Sequence, residues 1–183
     1  MANFARSGEM AFLKADKINS EIFSLTYGAM VAQIMKDYED IEEVNRQLDR
    51  MGQNIGSRLI DELFAKTGIP VSSNFMETAE VIAKVGFKMF LGITANVVNP
   101  TPQQYSLTFR DNPMVDFVEL PDNCANLRYC NLLCGVIRGA LEQVQIKVEC
   151  HFVRDMLRGD ETNEIQVRFL EQVRESALDQ SFA

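Results

Sequence analysis

Between Phe23 and Phe90 the apolar residues recur every three or four positions, and from Tyr105 onward many of them alternate with polar neighbours. The first spacing lays a stripe along a helix of 3.6 residues per turn, and the second gives a strand one apolar face. Phe23, Tyr27, Met30 and Ile34 predict a first helix, running from a cap at Asn19-Ser20 to about Tyr38. Val44, Leu48, Met51, Ile55, Leu59 and Leu63, flanked by Ile60 and Phe64, predict a second helix over about 42–66. The acids Asp37, Glu39, Asp40, Glu42 and Glu43 precede or open it. They suit the positive end of a helix dipole, and Asp40 with Glu43 has the spacing of a capping box. Gly68 and Pro70 close this helix, and Asn74 with Glu77 opens a third that ends at Gly92. Val81, Val85 and Met89, with Ile82 and Phe90 beside them, form its inward side, while Glu80 and Lys84 pair on the wet side.

Tyr105, Leu107 and Phe109 alternate with Ser106, Thr108 and Arg110, which predicts a half-buried strand. A short strand over 95–98 precedes it, and Asp111-Asn112-Pro113 turns the chain into a second extended piece over 115–120. A fourth helix over 127–145 is buried through Leu133, Val136, Ile137, Ala140, Leu141 and Val144. Strands over 147–154 and 164–173, joined through Arg158-Gly159-Asp160, finish the pattern. The expectation is an α+β fold in which four main helices pack on an antiparallel sheet. It places a flexible tail at 1–18, a single domain at 19–175 and a second tail at 176–183.

With 183 residues, 46% apolar and 24% charged, the chain has the composition of one globular domain. Its 26 acids against 18 bases give a net charge of −8. That balance argues against nucleic acid as a partner, because phosphate neutralisation needs surplus Lys and Arg. No signal-like or membrane-spanning apolar run is present, so the expectation is a cytosolic protein whose four cysteines are free thiols. A single histidine, His151, leaves few tools for proton transfer near neutral pH.

Cys130 and Cys134 share a helix face, but Cys150 and His151 are neighbours on a strand and point to opposite sides. A zinc site is therefore not expected, and no elbow or oxyanion element accompanies a Cys–His pair. No Gly-rich turn cradles phosphate. Gly52 and Gly56, four apart in the second helix, instead require the close approach of another backbone. Asn54, Arg58 and Asp61 exclude a membrane setting for this pair, leaving soluble packing within or between subunits. With Gly86, Gly135, Gly139 and nine methionines, these glycines fit either a well-packed core or one with room for a lipid chain or partner helix.

Six segments carry a resemblance: SEIFSLTYGAMVAQ (20–33), DYEDIEEVNRQLDRMGQNIGSRLIDELFA (37–65), ETAEVIAKVGFKMFLGIT (77–94), NPMVDFVELPDN (112–123), YCNLLCGVIRGALEQVQIKVE (129–149) and FVRDMLRGDETNEIQVRF (152–169). In unbroken order they resemble the subunit 3 family of the TRAPP vesicle-tethering complex. The resemblance implies helices on a twisted antiparallel sheet and no independent enzymatic activity. It implies a core subunit acting in transport between endoplasmic reticulum and Golgi, peripheral on those membranes. The assembled complex promotes nucleotide exchange on an early-Golgi Rab GTPase. Pairing with other TRAPP subunits, or as a homodimer in isolation, would use the first two predicted helices, with Gly52, Gly56, Met51 and Ile55 as interface candidates.

The family also has a buried hydrophobic channel with an acyl chain thioester-linked to a cysteine in the loop before the third helix. The corresponding position here is Ser72, in GIPVSSN. A serine hydroxyl has no counterpart to the thiolate accessible near neutral pH, so no S-acylation is expected there. Gly86 matches the small residue beside the acyl chain, and a channel built by packing is expected to persist, open to a non-covalent fatty acid. No metal or other cofactor is implied. The C-terminal RESALDQSFA shows no motif for GTPase contact. Two other readings stand beside this one. One is a stand-alone acyl or small-ligand binding module; the other, a cysteine enzyme, requires an exposed thiol of lowered pKa.

Overall fold

A computed structural model describes residues 4–173. Helix α1 (Phe4–Lys14) is followed by α2 (Ser20–Asp37) and α3 (Ile41–Thr67). Next, α4 (Phe75–Val81), a π turn (Ile82–Gly86) and α5 (Phe87–Leu91) form one continuous rod. Strands β1 (Asn96–Val98) and β2 (Gln104–Phe109) precede α6 (Asn131–Gln143), and β3 (Ile146–Arg154) and β4 (Asn163–Gln172) follow it. The sheet is antiparallel with order β1-β2-β4-β3, so the architecture is α+β.

Caps set the helix starts. Asn19 accepts from the amides of Glu21 and Ile22, and Asn74 accepts from those of Met76 and Glu77. Asp40 caps α3 through the Glu42 amide, but Glu43 turns to Arg46 and Gln47 rather than closing a capping box. Gly68 and Gly92 end their helices at φ 67° and 74°, where a side chain would be strained.

In the sheet, Tyr105, Leu107, Ile165, Val167, Ile146 and Val148 turn one apolar face to the helices. Helix α6 lies between that face and α3, so it is buried nearly all round. Its side against α3 is a backbone contact. A Cβ on Gly52 would collide with the Leu132 carbonyl, one on Gly56 with that of Val136, and Gly135 and Gly139 meet the carbonyls of Asp49 and Gln53 in return. Polar groups flank this seam: Arg138 pairs with Asp49, and Gln53 donates to Glu142 at 2.7 Å. At its end the buried Asn45 donates to Asn126 O at 3.1 Å and accepts from the Arg128 amide at 2.8 Å.

Several expectations change. Gly52 and Gly56 are not subunit-interface residues, because α6 of the same chain fills the space against them. They lie in the buried stripe itself, Val44–Leu48–Gly52–Gly56–Ile60, which steps by four, while Met51 and Ile55 sit beside it. Residues 4–14 form α1 rather than a tail: Gly8 lets α1 approach the Lys84 carbonyl, and Glu9 pairs with Lys88 at 3.0 Å. Lys84 does not pair with Glu80; from the π turn it donates to Ala95 O at 2.7 Å and Asn96 Oδ1 at 2.9 Å. The piece over 115–120 joins no strand. Its turns are closed by Val115 N to Asn112 O and Val118 N to Val115 O, and Ser24 ties Asp116 O to α2 at 2.7 Å. The expected tail at 176–183 lies outside the described residues.

Candidate functional site

The helix Phe75–Leu91 is apolar on more than one side. Ala79, Ala83 and Phe87 pack into the main core over the sheet. Val81 and Val85 instead form a smaller cluster with Leu63 of α3, to which Phe4 of α1 contributes. A helix buried on opposite sides loses the single-stripe pattern, and the gap between its two packings becomes the site.

That gap is a cavity of about 300 Å³ among α2, α3, the π turn, α5 and α6. Ile55, Leu59 and Leu63 of α3 face Val136, Ile137 and Ala140 of α6 across it, and every residue lining it is apolar. Gly86 is on its wall; an added Cβ there would have Leu63 Cδ1 at 3.8 Å as its nearest neighbour, an ordinary contact. The π turn ends at this residue, with the Phe87 amide donating to Ile82 O across five residues. Met114, brought in by the 112–121 segment, and Phe23 of α2 complete the lining; sequence periodicity alone assigns neither to a site.

Ile60, Val81, Ile82 and Ala140 also line a second, small recess of about 30 Å³ that reaches Ser72. Here the surface becomes polar. Ser72 Oγ donates to Glu77 Oε2 at 2.6 Å and accepts from the Asn74 amide at 3.2 Å. Glu77 is thus more than a helix-start acid: it is the only charged side chain among the residues of this recess. The structure brings Ser72 and Gly86 to two parts of one apolar region, whereas Gly52 and Gly56 serve the α3–α6 seam. Of the other two named residues, Ile55 lines the cavity and remains 38% exposed, and Met51 packs partly buried against the core.

Water in contact with walls this apolar is poorly satisfied, so an apolar guest that displaces it gains free energy in proportion to the wall area it covers. Cavities lined by Leu, Ile and Phe exclude water and accept apolar guests. The arrangement is built to hold hydrocarbon.

The thiols lie elsewhere, and Cys130, Cys134 and Cys150 are poor nucleophiles. Burial pushes Cys130 up to about 12, with the nearby Asp155 adding to the effect, and drives Cys134 and Cys150 well above the usual thiol range. A cysteine enzyme needs the opposite shift. Cys150 and His151 pair with Val167 and Gln166 in the sheet, as neighbours on opposite faces.

Residues 23–168 match the family model described as transport protein particle (TRAPP) component. The chain belongs to the TRAPP component family. Trafficking protein particle complex subunit 3 of Dictyostelium discoideum is 58% identical over 167 residues, covering 90% of each chain. A subunit 3 homolog of Caenorhabditis elegans is 38% identical over 165 residues, covering 87% of this chain and 89% of its own. A crystal structure of TRAPP complex subunit 3 from Naegleria fowleri, covalently bound to palmitic acid, superposes with a TM-score of 0.83. It is 51% identical, and the match covers 87% of this chain and all of that one. The fold of this chain is therefore that of the TRAPP component family, and no described helix is long and apolar enough to cross a membrane.

Proposed function

We propose that this chain is a core subunit of a TRAPP vesicle-tethering complex, working by assembly rather than by catalysis of its own. The observation that carries the reading is a wholly apolar cavity inside a TRAPP-family fold, set apart from buried thiols too basic to act. In this role it scaffolds transport between endoplasmic reticulum and Golgi and nucleotide exchange on a Rab GTPase by the assembled complex. It is peripheral on those membranes.

Pairing with other TRAPP subunits, or with a second copy in isolation, uses the outer face of α2 and the adjoining part of α3. Ile22 and Leu25 are 64% and 63% exposed one turn apart, and Ile55 is the exposed apolar residue nearest the cavity on α3. The cavity holds a single alkyl chain without a covalent bond, because Ser72 stands where a thioester would need a thiol.

Affinity capture from native cytosol tests the assembly. Stoichiometric TRAPP subunits are expected with the wild-type chain, and their loss with Ile22→Glu plus Leu25→Glu at unchanged melting temperature. Recovery of no TRAPP subunit by the wild-type chain would overturn the proposal. A monomer that still carries lipid would then favour a stand-alone acyl-binding module, the reading that the cavity by itself also supports.

A further inference from the structure

The recess at Ser72 carries information about the head group of the cavity's occupant. The walls beyond it are apolar throughout, so a polar head cannot follow the chain inward, and the Ser72 recess is where the apolar region runs out into polar side chains. The groups there are unsuited to a carboxylate. Ser72 spends its only O–H on Glu77, and its oxygen already accepts from the Asn74 amide. Thr78, the other hydroxyl of the recess, donates back to Phe75 O at 2.7 Å. No Lys, Arg or His is among the recess residues, and Glu77 presents a carboxylate. A fatty acid anion would meet a like charge and find no free side-chain donor. A head that donates hydrogen bonds would meet Glu77 and the second lone pair of Ser72.

The geometry points to a single-chain lipid with an uncharged, hydroxyl-bearing head, of the monoacylglycerol class, held with its hydroxyls on Glu77 and Ser72. This rests on the lipid-cavity reading above and goes beyond it by choosing the head. Ser72 and Glu77 are specificity residues in this account, and nothing is transferred or bonded.

The test uses the full chain, stripped of lipid by reverse-phase extraction and refolding, with 1-monopalmitoylglycerol and palmitate as paired ligands near pH 7.5. Native mass spectrometry reads occupancy and competition. The two share one alkyl chain, so their ratio isolates the head. Monopalmitoylglycerol should win by about two- to fivefold, the scale set by one unfavourable charge pair at an exposed carboxylate such as Glu77. Glu77→Gln should bring the ratio close to one, and Glu77→Lys should reverse it toward palmitate. Thermal unfolding of each variant without lipid controls for damage to the α4 start, since Asn74 caps it independently. A wild-type preference for palmitate, or a ratio unmoved by both Glu77 variants, would overturn the head-group assignment alone, and an acyl chain covalently attached at Ser72 would overturn it together with the non-covalent reading of the cavity. Binding of neither ligand would overturn the cavity reading and this assignment together.

Discussion

Alanine at Gly56 and alanine at Gly86 are the same substitution in two helices, and the structure gives them different outcomes. At Gly56 the added carbon would stand 2.8 Å from the Val136 carbonyl carbon and 2.9 Å from its Cα, besides striking the carbonyl oxygen. Ordinary carbon contacts begin near 3.5 Å, so α3 and α6 would have to part by roughly 1 Å. The obstacle is helix backbone, which has no rotamer to change. A gap of that size forfeits a quarter to a half of each dispersion contact it opens, and overpacking of this kind costs about 3 kcal/mol. Alanine returns about 1 kcal/mol through helix propensity, leaving a net loss near 2 kcal/mol. For a chain of this length that is a fall in melting temperature of about 4–8 °C. At Gly86 the only neighbour is Leu63 Cδ1 at 3.8 Å, so the apo protein should be unchanged or up to about 1 kcal/mol more stable. Urea titration and scanning calorimetry at several protein concentrations measure both. The loss at Gly56 should not depend on concentration, because the contact is within one chain. A neutral Gly56→Ala, or a Gly86→Ala as damaging as Gly56→Ala, would refute the reasoning.

Ser72→Cys places a thiol at the cavity mouth; incubated with palmitoyl-CoA it should gain a hydroxylamine-labile acyl mass that the wild-type chain does not. Removing Asn45 leaves the Arg128 amide and the Asn126 carbonyl without their partner, so Asn45→Ala should lose about 3 kcal/mol in urea titration. Cys130, Cys134 and Cys150 have thiol pKa values raised by burial, with Cys130 at about 12. The unfolded chain releases these protons first, so stability should be intact below about pH 8.5 and fall steadily from there toward pH 12. Each thiol contributes up to about 1.4 kcal/mol per pH unit, and Cys130→Ala should shallow the slope by one such share. A stability flat across that window would contradict the burial of these thiols.

The features that sequence reports well are those decided by a residue and its near neighbours. Asn19, Asp40 and Asn74 cap helices because a short polar side chain reaches an amide two or three positions on. Gly68 and Gly92 end helices because both require a positive φ. Alternation identifies β2 and the closing hairpin, since one side of each faces the helices. What escapes is decided across long separations. Gly8, in the middle of α1, reads as a helix breaker until the Lys84 carbonyl is placed against it. Val115 and Val118 look like strand residues, but Phe117 takes φ 66° and is 74% exposed, which no sheet pairing would produce. The glycines announce a close backbone approach without naming its partner, which lies some eighty residues further on, in α6. Ser72 and Gly86 take their meaning from the family resemblance, and Glu77 only from the 2.6 Å bond to Ser72.

The glycine seam also explains why the cavity survives without a thiol at its mouth. An unfilled space normally shrinks as its walls relax inward, and how far they relax sets the cost. Here the two main walls cannot approach. Helices α3 and α6 already touch backbone to backbone at Gly52, Gly56, Gly135 and Gly139, and Arg138 with Asp49 flanks that contact. Ile55, Leu59 and Leu63 therefore stand at a fixed distance from Val136, Ile137 and Ala140. On the third side the helix from Phe75 to Leu91 is held from outside by Gly8 of α1 against the Lys84 carbonyl, and by Lys84 itself to Ala95 and Asn96. These contacts keep the space open, so its volume does not depend on what is bonded at residue 72. Under the function proposed above, removing a bound alkyl chain should therefore lower the stability of the α3–α6 region without changing the width of the space between its walls.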